Sequence, residues 1–192
     1  PHLLLTDADC KPASRHWIRL MQRHFSDTTQ IVLGYGPYRT GRSLLHTLVR
    51  YETVTTAMRY LSWAKAGIPY MGVGRNLAYH RDLFYQQGGF QKHYTIRSGD
   101  DDLFINQVAD RTNTAVETDP DAFASSSPPR SFGAWIRQKK RHYSTGRHYK
   151  PGHRALLGLE WLTAFLHYGL FIYLLLLWVM PWVVLGAILL RL

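Results

Sequence analysis

The sequence predicts an α/β domain that runs into a basic helix and then a membrane-spanning segment, and three observations carry that expectation. A short apolar run, Leu3-Leu4-Leu5, stops at Thr6-Asp7-Ala8-Asp9, as a buried strand does where its carboxyl end meets a ligand-binding edge. Strand-like and helix-like patterns then alternate as far as Ala124. From Trp161 to Leu190 there is no Asp, Glu, Lys or Arg, and about 20 apolar residues suffice to cross a bilayer core.

Taken in order, Ala13 to Phe25 places Trp17, Leu20, Met21 and Phe25 at helical spacing after Pro12. Gln30 to Leu33 reads as a second strand, broken by Gly34-Tyr35-Gly36-Pro37-Tyr38. Ser43 to Ala66 carries a long helical pattern through Leu44, Leu45, Leu48, Val54, Met58 and Leu61, and Gly67 ends it. Gly72 to Tyr79 alternates small and larger residues, as an extended segment with close backbone approaches does. Arg81 to Gln87 is a short helix closed by Gly88-Gly89, and another helix spans Gly99 to Ala109. Thr114 to Ala124 holds one or two short strands, and Ser125 to Pro129 is a loop. Ser131 to Tyr149 is a basic helix leading to the membrane, where Pro181, between Trp178 and Trp182, separates one complete span from the start of another. The expected organisation is therefore a catalytic domain over 1–127, an interfacial helix over 128–153 and membrane segments over 154–192.

Composition narrows the function. The chain has 192 residues, 46% of them hydrophobic, enough for a real core, and a net charge of +10. No acidic residue lies between Asp121 and Glu160, whereas eight Lys and Arg do. Basic residues crowded beside a span mark the cytoplasmic side, so the expected location is the inner cell membrane, multi-pass in the intact protein, with the domain in the cytoplasm. Cys10 is the single cysteine, which excludes an internal disulfide and suits a reducing compartment. A chain that opens on Pro1 inside a core strand reads as a fragment whose beginning is lost.

Three constellations carry chemistry. Asp7 and Asp9, two apart on an extended segment, point the same way and suit a divalent cation, although Asp also commonly closes a strand as a turn residue. Asp100-Asp101-Asp102 precedes a helical pattern; such clusters complement a helix dipole, yet three together repel one another more than capping needs, and Asp100 is the candidate general base. Gln138 and Arg141 share one helical face with Arg137 beside them, suited to an anion, while a basic run here also serves as a lipid anchor. A membrane-anchored basic module binding anionic lipid or nucleic acid is the competing reading; it gives the carboxylates no role.

An Asp-x-Asp at a strand end, the segment Gly72 to Tyr79, an acidic helix start, a Gln-x-x-Arg helix and then membrane spans, in that order, resemble the membrane-bound inverting glycosyltransferases of family two, which include cellulose, chitin and hyaluronan synthases and ceramide glucosyltransferases. The resemblance implies the C-terminal part of a GT-A nucleotide-sugar domain, with the preceding nucleobase-binding units missing and the isolated fragment inactive. It implies that Asp7 and Asp9 hold Mg²⁺ or Mn²⁺, Asp9 more directly, and that with Gln138 and Arg141 they bind the donor diphosphate. The E-D-x-x-L pattern puts the base at Asp100, with Gly99 in the place of the acid; Asp101 is the alternative base in a G-D-D register. Gly74, Arg75 and Asn76 fall where an acceptor pocket is expected. His142 replaces the Trp of Q-x-x-R-W, which in the family stacks on an acceptor sugar, and this departure leaves single-sugar transfer open. The implied partners are a nucleotide-diphosphate sugar, a lipid or glycan acceptor and the membrane, and no nucleic acid.

Overall fold

The computed structural model describes residues 1–91, 95–96, 98–178 and 180–189. It divides into two compact units, 1–150 and 151–192. In the first, β1 (His2–Leu5), β2 (Lys11–Pro12), α1 (Trp17–Gln22), β3 (Ile31–Leu33), α2 (Leu44–Lys65), β4 (Leu77–His80), α3 (Arg81–Gln86), α4 (Asp102–Val108), β5 (Thr114–Val116), β6 (Ala124–Ser125) and α5 (Phe132–Thr145) follow in order. The main sheet has strand order β1-β4-β3-β5, with β3 and β5 parallel and the other pairs antiparallel. A second, two-stranded sheet pairs β2 with β6.

The pleat of β3 and β4 divides the core. Val32 and Ala78, opposite each other in register, pack with buried Met21 of α1 and with Leu4, Trp17 and Phe25 on one face. On the other face Tyr79 meets the ring of Phe104 at 4.9 Å, and Ile105, Leu33 and Leu77 crowd Gly72 so closely that a Cβ there falls 3.0 to 3.3 Å from all three. That crowding explains the small residue in this segment. Helix α2 buries Val49, Thr53, Ala57, Tyr60, Leu61 and Ala64, a stripe at 3.6-residue spacing. Its cap is Ser43, whose hydroxyl accepts from the His46 N–H.

Several elements are shorter than their sequence pattern. Helix α1 begins at Trp17 rather than near Ala13, because the Ala13 N–H donates to Phe123 O and the Ser14 hydroxyl to Asp121 O. These bonds commit residues 11–14 to the loop and strand around β6, and part of the expected Ser125 to Pro129 loop is itself strand. Helix α4 starts at Asp102, because Gly99 adopts φ +107°, a conformation that an L side chain rarely adopts. A Cβ there also falls 2.4 Å from Leu103 Cδ1. A glycine at this position, where the resemblance leads one to expect an acid, therefore has a backbone reason. Helix α5 ends at Thr145 and passes through a 3-10 turn, Gly146–His148, so the basic helix is not continuous to Tyr149.

The second unit contains α6 (Pro151–Leu176) and α7 (Pro181–Leu189). Among the described residues α6 alone is long and apolar enough to cross a membrane; its 26 residues rise about 39 Å at 1.5 Å each. The helices are separated at Trp178 and Met180, both at positive φ, and α7 starts on Pro181 as the proline position predicts.

Candidate active site

The site is a cleft of about 730 Å³ in the first unit. It gathers Asp7 and Asp9 after β1, Gly74 and Arg75 before β4, Asp100 and Asp101 before α4, and Arg137, Gln138, Arg141 and His142 of α5, with Tyr38 and the segment after β6 completing the wall. Register sets the loop after β1 beside the 3-10 turn Gly74–Asn76, because Leu5 pairs with Leu77; Asp101 ties the start of α4 to that turn, and Gln138 of α5 reaches across to Tyr38.

Asp7 and Asp9 do not converge through strand alternation. Strand β1 ends at Leu5, and a turn closed by Cys10 N–H donating to Asp7 O at 3.0 Å brings their side chains together. One oxygen of each carboxylate and Cys10 Sγ all lie within 4.8 Å of one another. Arg39 donates to the Asp9 carbonyl at 2.8 Å and the Ser127 N–H to Asp9 Oδ2 at 3.1 Å, which fixes the turn. Partial burial pushes the Asp7 carboxyl up from its ordinary value, and Asp9 and Asp100 push the same way, against the cations Arg75 and Arg141. A divalent cation bound at the two exposed carboxylates would relieve this repulsion. Two hard carboxylates suit Mg²⁺ or Mn²⁺, and Cys10 adds a softer sulfur beside them.

The acidic triplet separates into three roles. Asp100 is exposed on the cleft wall. Asp101 accepts from Gly74 N–H and from Asp102 N–H, both at 2.7 Å, so it caps α4 and pins the Gly74 turn. Burial raises its carboxyl even though these two bonds oppose the shift. Asp102 is buried behind the cleft and takes no part in its lining.

On α5, Gln138 donates to Tyr38 OH at 3.0 Å, and the Arg75 guanidinium lies 4.3 Å from the centre of the same ring. Tyr38 thus joins the Gln-x-x-Arg helix to the segment before β4. The only trace of this in the sequence is its place at the end of the Gly34 to Tyr38 break. Loss of solvent around its ring, and then the neighbouring cations Lys139 and Arg141, lower the His142 imidazole to about 4, although the residue as a whole is exposed. At neutral pH His142 is therefore uncharged, and the positive charge of the cleft comes from Arg75, Arg137 and Arg141. Glu52 of α2 forms an ion pair with Lys139 and ties α2 to α5.

Asn76 is not brought to the cleft. It is 1% exposed, accepts from Trp17 Nε1 at 2.9 Å and donates to the carbonyls of Tyr35 and Ala122 at 2.9 and 2.8 Å. Asn76→Ala removes a partner from the Trp17 indole and from the carbonyls of Tyr35 and Ala122, of which Tyr35 O keeps the Ala124 N–H, and is expected to cost about 2 kcal/mol, measured by denaturant unfolding.

Among curated protein sequences none matches significantly. Among solved structures, the mannosyltransferase PcManGT from Pyrobaculum calidifontis, in complex with GDP-mannose and Mn²⁺, is similar, with a TM-score of 0.53 and 22% identity over 86% of this chain. The match covers 45% of that protein's chain, and at this identity it shows a shared GT-A-like fold. The family model described as glycosyl transferase family group 2 matches residues 2–192, and the chain belongs to that family.

Proposed function

We propose that the protein is a membrane-bound inverting glycosyltransferase that moves a sugar from a nucleotide diphosphate to a lipid-linked or saccharide acceptor. The observation that carries this reading is the convergence of Asp7, Asp9, Asp100, Gln138 and Arg141 on one cleft from regions far apart in sequence. Asp7 and Asp9 would hold Mg²⁺ or Mn²⁺, which supplies positive charge to the leaving diphosphate. Gln138 and Arg141 would meet the same diphosphate from α5, where the guanidinium stabilises the charge that grows as the glycosidic bond breaks. Asp100 takes the proton of the acceptor hydroxyl while that oxygen attacks the anomeric carbon from the face opposite the diphosphate. Gly74 and Arg75 line the acceptor side.

The exposure of Asp100 favours it as the base over Asp101, whose carboxylate is committed to two backbone N–H groups. Four carboxylates on the cleft wall, Asp7, Asp9, Asp100 and Asp101, also weigh against the basic module that grips nucleic acid, because they repel phosphate unless a metal intervenes. Helix α6 supports membrane attachment, and the Lys and Arg excess before it supports a cytoplasmic domain at the inner membrane in a multi-pass protein.

The test is a scan of nucleotide sugars on the complete protein in detergent, with and without membrane lipid extract. GDP-mannose comes first because the similar mannosyltransferase binds it. Transfer to a lipid-extract acceptor with inverted anomeric configuration, read by NMR of the product, is the expected result. Retained configuration contradicts the single displacement, and no turnover of any donor contradicts the glycosyltransferase reading.

A further inference from the structure

We propose that Asp102 is a positioning residue, which locks the Gln138–Arg141 turn of α5 against the acidic start of α4 and so sets the spacing between base and diphosphate-binding groups. The proposal rests on the reading of the cleft as a glycosyl-transfer site and adds a residue that does not touch it.

Asp102 is 8% exposed and its Oδ2 lies 2.5 Å from Thr145 Oγ1 and 2.8 Å from Tyr149 OH; the Tyr149 hydroxyl donates to it, and the single Thr145 proton is shared between Oδ2 and the His142 carbonyl at 2.7 Å. Thr145 is fully buried, and Tyr149 is 8% exposed. Oδ1 of the same carboxylate has no hydrogen-bond partner among the described residues. A carboxylate held in this way is costly to bury, and an apolar side chain of similar size packs more stably. What the carboxylate supplies instead is direction. Two short hydroxyl bonds fix both the end of α5 and the chain beyond it, which an apolar contact leaves free to slide.

The grip has a second point one helical turn along. Asn106 accepts from Lys150 N–H at 2.8 Å and donates to the Tyr70 carbonyl at 2.6 Å. Asp102 and Asn106 are four residues apart and lie on one face of α4, so that face clamps residues 145–150. On α5, Thr145 follows Arg141 by four residues and shares its face. Anchoring Thr145 therefore places Arg141. At the other end of the clamp, Asp102 directly follows Asp101 and Asp100, so a single side chain spans the two walls that carry the base and the cation. Displacing either wall by about 1 Å is enough to cost roughly 100-fold in rate.

The experiment compares Asp102→Ala, Asp102→Asn, Thr145→Val and Tyr149→Phe in the complete protein, reading kcat, donor KM and amide hydrogen exchange. Asp102→Ala is expected to lower kcat about 100-fold while donor KM moves less than about threefold. Asp102→Asn, whose amide oxygen accepts the same two hydroxyls, is expected to recover most of the loss, and Thr145→Val and Tyr149→Phe to fall between. Hydrogen exchange reads the lock without turnover: residues 132–145 lose protection in Asp102→Ala while β3 and α2 keep theirs. Unchanged exchange in α5 overturns the proposal whether or not transfer is detected, and so does a folded Asp102→Ala with full kcat. Should Asp102→Ala fail to fold, the two hydroxyl variants carry the test, and unaltered kcat and exchange in both overturn it. Absence of transfer by the unmodified protein, with exchange responding as described, contradicts the glycosyltransferase reading and leaves the lock standing.

Discussion

Asp100→Asn in the complete protein is expected to lower sugar transfer about 10³-fold while leaving donor binding within about twofold, because general bases contribute roughly 10² to 10⁴ in rate and this one acts on the acceptor. The isosteric amide keeps the shape of the cleft wall and removes the group that takes the acceptor's proton. The neighbouring substitution gives the control. Asp101→Asn weakens bonds to Gly74 and Asp102 N–H and is expected to lower stability by about 1 to 3 kcal/mol, with a smaller loss of transfer by the folded protein. If Asp101→Asn abolishes transfer in a fully folded protein while Asp100→Asn does not, the base assignment moves by one residue.

Arg141→Ala is expected to lower kcat by about 10² to 10³, the usual cost of removing one donor aimed at developing charge. Arg141→Lys should recover only part of this, since an ammonium cannot make the bidentate contact of a guanidinium. Both arginines line the cleft; the choice of Arg141 over Arg137 rests on its place in the Gln-x-x-Arg pattern, and its charge opposes the rise of the Asp7 carboxyl. An equal loss from Arg137→Ala with none from Arg141→Ala would overturn the assignment.

Much of this architecture was legible in the chain because the elements that carry it are locally determined. The bounds of α2 and the run of β3 follow from local pattern and stand within a few residues of expectation, but the face that α2 buries is not the one its apolar spacing marks: Leu44, Leu48, Val54 and Met58 are exposed, and of the expected stripe only Leu61 is buried. The errors fall where tertiary bonds override local preference. Residues 13–16 have a helical pattern, but bonds to residues 121 and 123 draw them into the β6 region, a competition that no short window can reveal. Asn76 looked like a pocket residue beside Arg75, yet its amide is satisfied by three partners 41 to 59 residues away.

The candidate site was legible as motifs and not as geometry. Nothing in the sequence shows that Tyr38 bridges Gln138 and Arg75, since those residues lie on separate elements that only the fold brings together. Nor does it separate the three aspartates. Their division into an exposed wall residue, a cap and a buried anchor follows from the positive φ of Gly99 and from where α5 ends.

The measurement that bears most directly on the central claim is release of nucleotide diphosphate by the complete protein, titrated with Mn²⁺ and Mg²⁺ after chelator treatment, alongside Asp9→Ala. The account predicts release that is absent with chelator, rises with either metal and is lost in Asp9→Ala at every metal concentration. Release that is indifferent to chelator and retained in Asp9→Ala contradicts it.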